Sequence, residues 1–251
     1  YYSAALAISI LVGHAGLVAQ ALYPKLLSGG SKEHLNESLI RYFYFGFPLV
    51  AISIAFAQPS LFALNAEYAI AVIVVVLMTL RAFLYKLSSI FQEALHGSES
   101  IDASENPKFI DFVKSKLFTL PTIILIQYSL YVLILAIVLL LTKDDSTQLE
   151  LVINWSIVSL GVQIPFTAYF YRMVRNQFSL SIDAKTSVKY LLTSILVFGI
   201  VYLITEEFLV YHESIFHFLP NLILYIGLGV LMYVSITFSI DLRTRNLAKA
   251  I

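Results

Sequence analysis

The sequence predicts an all-α integral membrane protein with seven transmembrane helices. Composition is the first reason. Of 251 residues, 59% are hydrophobic and only 13% charged, too few polar side chains to give soluble helices their wet faces. The second is a mean hydropathy of +0.83. The third is length: seven runs approach or exceed the roughly 20 apolar residues that a helix needs to cross the hydrocarbon core. These runs are continuous rather than alternating, and far longer than barrel strands, which argues against a transmembrane β-barrel.

The segments are 1–27, 42–64, 68–92, 117–142, 151–171, 190–210 and 218–240. The first begins at Tyr1 with no Met and no charged leader, so it is not read as a signal peptide. The expectation is a piece of a longer protein. "SGGSKEHLNESLIR" opens on a Ser/Gly break and then reads as a helix entering the second span. Leu35, Leu39 and Ile40 share a face there, and Glu37 can pair with Arg41 at i,i+4. The third span follows a short turn at Asn65–Glu67. The break "HGSESIDASENPK" comes next. Asn106-Pro107 then supplies a helix start, from which Phe109, Phe112, Val113 and Leu117 lead a surface helix into the fourth span. The sixth span is the weakest, with a clean run only from Tyr190 to Thr205; it crosses if Lys189 snorkels and Glu206 meets headgroups. Prolines at 24, 48, 59, 121, 165 and 220 lie in or at the ends of spans, where neighbouring helices can satisfy the freed carbonyls. Tyr1, Tyr2, Tyr68, Trp155, Tyr169 and Tyr211 cluster near span ends, as an interfacial belt requires.

Lys and Arg set the expected orientation. The first, third and fifth connections and the C-terminal tail hold fourteen of the sixteen basic residues. The second, fourth and sixth connections hold Lys143 alone; the remaining residue is Arg81, inside a span. The odd connections and the C-terminus are therefore expected to be cytoplasmic, with Tyr1 outside.

The chain has no cysteine, which excludes disulfides, thiolate metal sites and a cysteine nucleophile. Net charge is zero, and no nucleic-acid partner is implied. There is no glycine-rich phosphate loop and no HExxH, so no cofactor or metal is implied. The five histidines are scattered, and no Ser, His and acid are nominated at one depth for an intramembrane hydrolase. What remains are polar groups inside spans. Arg81 lies about 20 Å below the Glu67 edge of a core about 30 Å thick. It either snorkels to the inner headgroups or faces a water-filled cavity and meets an anion. Lys86 is nearer the inner surface and about 140° around the helix, so the two need not share a face. His14 and Gln20 fall in the first span, where His14 either bonds a neighbouring helix or contacts a ligand. Gln127, Asn154 and Gln163 are embedded amides, whose default role is interhelical hydrogen bonding. No Asp or Glu lies deep in any span; Glu67, Glu93, Glu206 and Asp241 are near ends.

"YYSAALAISILVGHAGLVAQALYPKLLS" resembles the eighth span of polysaccharide flippases, with Leu22, Pro24 and Leu26 on a closing Leu-x-Pro-x-Leu-Ser motif and Ser28 one residue later than usual. "FPLVAISIAFAQPSLFALNAEYAIA" resembles the next pair of spans. "FQEALHGSESID" followed by "KSKLFTLP" resembles archaeal-type members. The family is the polysaccharide branch of the multidrug/oligosaccharidyl-lipid/polysaccharide exporter superfamily. It implies a fourteen-helix transporter of two lobes plus two appended helices. Residues 1–210 would be most of the second lobe and the first appended helix, and 211–251 the last helix and tail. The topology agrees with the charge tally, since an eighth span starts outside. The implied activity is alternating-access flipping of a lipid-diphosphate-linked oligosaccharide across the cytoplasmic membrane. The implied partners are the bilayer, that anionic lipid-linked glycan, and the missing N-terminal lobe. Its cavity cations occupy no fixed motif positions, so none is carried over by alignment. The expected substrate-binding set is Arg81, with Lys25 and Lys86 at the inner mouth, and His14 and Gln20.

Other classes are weaker. A retinal-binding opsin needs a Lys in the last span, and "FLPNLILYIGLGVLMYVSITFSI" has none. A membrane glycan or lipid transferase needs an acidic or His pair at one membrane face, for which only "DD" and "EE" in the outer connections offer themselves. A cation-coupled drug exporter of the same superfamily usually needs a buried carboxylate.

Overall fold

A computed structural model describes residues 1–19, 22–27, 32–99, 109–144, 146–180, 182–212, 214–241 and 243–245. Among them all regular structure is helical, and seven helices are long and apolar enough to cross a membrane.

The first span is not one continuous α-helix. α1 (Tyr2–Gly13) passes into a 3-10 stretch, His14–Ala19, and the chain resumes as α2 (Leu22–Leu27). Gly13 and Gly16 bracket the change. α3 (Lys32–Ala55) joins the expected entry helix before residue 42 to the second span without a break. Leu35 and Leu39 are buried and Arg41 binds Glu37, so the amphipathic turn is part of the spanning helix itself. Phe56 then leaves helical geometry (φ −103°, ψ 18°), and α4 (Ala57–Leu64) follows. Pro59 has no N–H to offer the Ala55 carbonyl, which is why the helix is interrupted there. The expected 42–64 span is thus divided between two helices.

The Asn65 side chain accepts a hydrogen bond from the Glu67 N–H at 3.0 Å and caps a 3-10 turn, Ala66–Ala71, that feeds α5 (Val72–Gly97). α6 (Phe109–Lys114) is a short surface helix, and Ser115 separates it from α7 (Lys116–Thr142). The expected helix start at Asn106-Pro107 lies outside the described residues. α8 (Gln148–Phe178) overruns the expected 151–171 at both ends. A Thr147/Glu150 capping box starts it, and Ser179 in the left-handed region (φ 47°) stops it. α9 (Ala184–Phe208) starts from Asp183, whose carboxylate accepts from Thr186 N at 3.1 Å and Thr186 Oγ1 at 2.9 Å. α10 (Ile215–Ile240) is the last span.

α5 is the central helix, packed on α1, α2, α3 and α8, with α7 outside α8. α9 follows α8 in sequence but packs on α3, and α10 packs on α9. Close approaches use glycine. A Cβ on Gly46 would lie 2.9 Å from Phe83 Cε2, and one on Gly229 only 2.5 Å from Phe198 Cε1. α7 buries only Leu120 and exposes apolar side chains along its length, as a helix facing lipid does.

The two ends of the bundle differ. At the Tyr1 end, Tyr1 meets Tyr68 edge-on at 5.9 Å, Tyr2 stacks on Trp155 at 4.4 Å, and Trp155 donates to the Tyr131 hydroxyl. At the opposite, basic end, Arg243 pairs with Asp183 at 3.1 Å. Tyr190 donates to Asp241 Oδ2 at 2.6 Å, and Thr244 adds its N–H at 3.2 Å and its hydroxyl at 3.1 Å to the same oxygen. These bonds tie the chain after α10 to the start of α9. Burial pushes the Asp241 carboxyl up, but the hydrogen bonds from Tyr190 and Thr244 outweigh it and hold the group below the usual carboxylate range.

Candidate functional site

The polar residues of α5 fall on two sides. One side is anchored. Ser88 Oγ and Thr167 Oγ1 of α8 are 2.8 Å apart, Gln163 Nε2 donates to both at 3.1 Å, and Gln127 of α7 donates to Gln163 Oε1 at 3.0 Å. Four side chains from three helices satisfy one another, which fixes α5 against α8 and α7. Gln127 and Gln163 thus take the interhelical role expected of them. Asn154 is half-buried and outside this network.

The other side of α5 faces α1 and opens into a cavity of about 320 Å³. Arg81 and Lys86 both line it, with Tyr85 beside them, Ser9 and Gly13 of α1 opposite, and Tyr128 of α7 at the edge. The angular offset between Arg81 and Lys86 does not keep them apart, because both side chains are long enough to bend into one space. The Lys86 stem lies across the broken part of the first span: a Cβ on Gly16 would be 3.0 Å from Lys86 Cδ, and one on Gly13 3.8 Å from its Cε. Glycine at these positions is what admits the lysine. Arg81 and Lys86 are each half-buried, and neither forms an ion pair among the described residues. Among the described residues no carboxylate lines the cavity. Two cations and two phenols therefore converge on one water-sized to headgroup-sized space, a donor set suited to a phosphate or other oxyanion, while the Ser9 hydroxyl donates to the Leu6 carbonyl at 3.1 Å.

The remaining expected residues stand apart. His14 is exposed at the start of the 3-10 stretch, with its Nδ1 3.3 Å from the Leu11 carbonyl, and does not line the cavity. Lys25 belongs to α2, but its side chain lies outside the described residues, as does the whole of Gln20. Sequence reasoning missed Ser9, Tyr85 and Tyr128. Tyr128 carried a signal, since a tyrosine in mid-span is away from the interface where its hydroxyl would be wet. Tyr85 follows Arg81 by one helical turn, which also places it on the same face.

No family model, no curated protein and no solved structure matches the chain. The chemistry of this cavity and the composition of the helices around it are what bear on function.

Proposed function

We propose that the chain is the C-terminal part of a membrane transporter that flips lipid-diphosphate-linked oligosaccharides across the cytoplasmic membrane by alternating access. The observation that carries this reading is the shared cavity of Arg81 and Lys86 between membrane-spanning helices, with no carboxylate among the described residues of its lining. A cation inside a span is costly and is retained where it meets a counter-charge. A diphosphate carries two negative charges, and two half-buried cations match them. The phenols of Tyr85 and Tyr128 add donors that a sugar or a phosphate accepts. In this reading the diphosphate and sugar enter the cavity while the hydrocarbon tail stays in the bilayer. The N-terminal lobe would close the cavity from the other side. The basic end is cytoplasmic, following the distribution of Lys and Arg. The interrupted first span agrees with transporter architecture, where broken helices border substrate sites.

The test is binding of an isoprenyl-diphosphate-linked sugar to the chain in nanodiscs. Arg81→Gln and Lys86→Gln should each weaken binding about tenfold or more, the loss expected for one charge-assisted contact. Arg81→Lys should recover part of it. Unchanged binding in Arg81→Gln would leave Arg81 as a snorkelling anchor and remove the basis of this reading.

A further inference from the structure

Glu93 stands two helical turns beyond Lys86 on α5, and a seven-residue step returns a helical side chain to nearly the same face. Its Oε1 accepts a hydrogen bond from Ser89 Oγ at 3.3 Å. Its Oε2 is buried and has no hydrogen-bond partner among the described residues. The neighbouring Ile90, Ala94 and Leu95 are fully buried, so the local surroundings are apolar. A buried carboxylate oxygen left bare is unfavourable, and the state that relieves it carries a proton. Lys86 is the nearest cation before it on that face, and the two form no ion pair among the described residues. Lys86 is also a lining residue of the cationic cavity. Lys86 thus lines the proposed anion site and lies two helical turns along the same face of α5 from a carboxyl with one bare oxygen.

From this arrangement we infer that Glu93 is a proton-binding site linked to the cavity, taking up a proton when an anion binds at Arg81 and Lys86 and releasing it when the anion leaves. The inference rests on the anion-binding reading of the cavity. Ionised, Glu93 draws the Lys86 ammonium along the Gly13/Gly16 face away from the cavity. An anion in the cavity draws it back, and the carboxylate then loses its compensating charge. The O–H bond forms on Oε2 with a proton from water at the basic end; no other bond changes, and at most one proton moves per anion. Binding therefore strengthens as pH falls through the Glu93 titration.

Other titratable groups lie on the elements packed around α5. They are His14 before α2, Tyr23 and Lys25 on α2, and His34, Glu37 and Arg41 on α3. Further ones include Lys32, Glu33 and Tyr42 of α3, Lys116 and Tyr128 of α7, Tyr169, Tyr171, Arg172 and Arg175 of α8, and Arg81, Tyr85 and His96 of α5 itself. The histidines supply the controls.

The experiment measures binding of an isoprenyl diphosphate sugar diester to the chain in nanodiscs between about pH 5 and pH 8. A diester keeps both phosphate charges throughout this range, because the group that titrates near pH 6 is esterified. Wild type should bind about tenfold more weakly at the alkaline end, and binding in weakly buffered solution should take up protons. Glu93→Gln should bind at every pH as wild type does in acid, with no proton uptake. Glu93→Asp should keep the slope with a shifted midpoint, and His14→Gln and His96→Gln should leave it unchanged. A slope that survives Glu93→Gln, or that disappears in a histidine variant, overturns the inference while leaving the anion site standing. Binding that ignores Arg81→Gln and Lys86→Gln overturns the anion site itself.

Discussion

The Lys86 stem crosses Gly16 so closely that a Cβ on the glycine would sit 3.0 Å from Lys86 Cδ. Gly16→Ala must therefore move the lysine, but it moves the end of a flexible side chain rather than backbone. The expected cost in stability is small, within about 1 kcal/mol, while anion binding at the cavity falls several-fold. Gly229→Ala provides the contrast. Its Cβ would meet the ring of Phe198, itself only 1% exposed, at 2.5 Å. That variant should lose about 1–3 kcal/mol and leave binding unchanged. Thermal unfolding in detergent, run beside the binding assay, separates the two. Equal behaviour in both variants would mean that the Gly16 contact does not position Lys86.

Gln163 is the member of the α5–α8–α7 network that touches every other one. Gln163→Leu keeps the volume but strands Gln127, whereas Ser88 and Thr167 still bond each other at 2.8 Å. The expected loss is about 1–2 kcal/mol, the scale of interhelical side-chain hydrogen bonds in membranes. The double variant Gln127→Leu/Gln163→Leu should recover part of it, because no buried polar group is then left alone. Additive losses in the double variant would show that the two amides act independently.

The Asp241 carboxylate gives the basic end a defined pH response. Its folded-state titration lies below the ordinary carboxylate value, so the stabilisation is complete above about pH 4 and is lost as pH falls through the folded value. Hydrogen exchange at Thr244 and Arg245 should accelerate in acid below about pH 4. Asp241→Asn should show fast exchange at neutral pH and little further change, and Tyr190→Phe should fall between. Equal acid responses in wild type and Asp241→Asn would place the sensitive group elsewhere.

Orientation is open to direct measurement because the chain contains no cysteine. A single cysteine at Ser146, in the turn before α8, should react with an impermeant maleimide in intact cells. One at Asn176, exposed near the end of α8, should react only after permeabilisation. The reverse pattern would invert the proposed topology.

Sequence patterning carried the number of spans, because uninterrupted hydropathy over a membrane thickness is a property of the chain alone. It placed the α7 and α10 boundaries closely and missed the starts of α8 and α9. In both misses the helix extends into polar sequence that caps itself, through Thr147 with Glu150 and Asp183 with Thr186. Hydropathy does not register such turns. The cationic site was half legible. Arg81 announced itself by the cost of its position, and Lys86 looked like an interfacial anchor. Only the approach of α1 brought the two together, through Gly13 and Gly16, and that is a tertiary fact. The same limit hid Glu93: residue counting put it near an end, while the fold buries one of its oxygens.

The six 3-10 residues from His14 to Ala19 give the first span a screw-like degree of freedom. A 3-10 residue rises about 2.0 Å against 1.5 Å in an α-helix and turns about 20° further. Rewinding the whole stretch as α-helix would draw α2 in by about 3 Å and rotate it by about 120°. The side chains of α2 that now face α5 would then point elsewhere, and the glycine face beneath Lys86 would turn with them. A local change of winding would in this way reset both the floor of the cavity and the mouth below it in one movement.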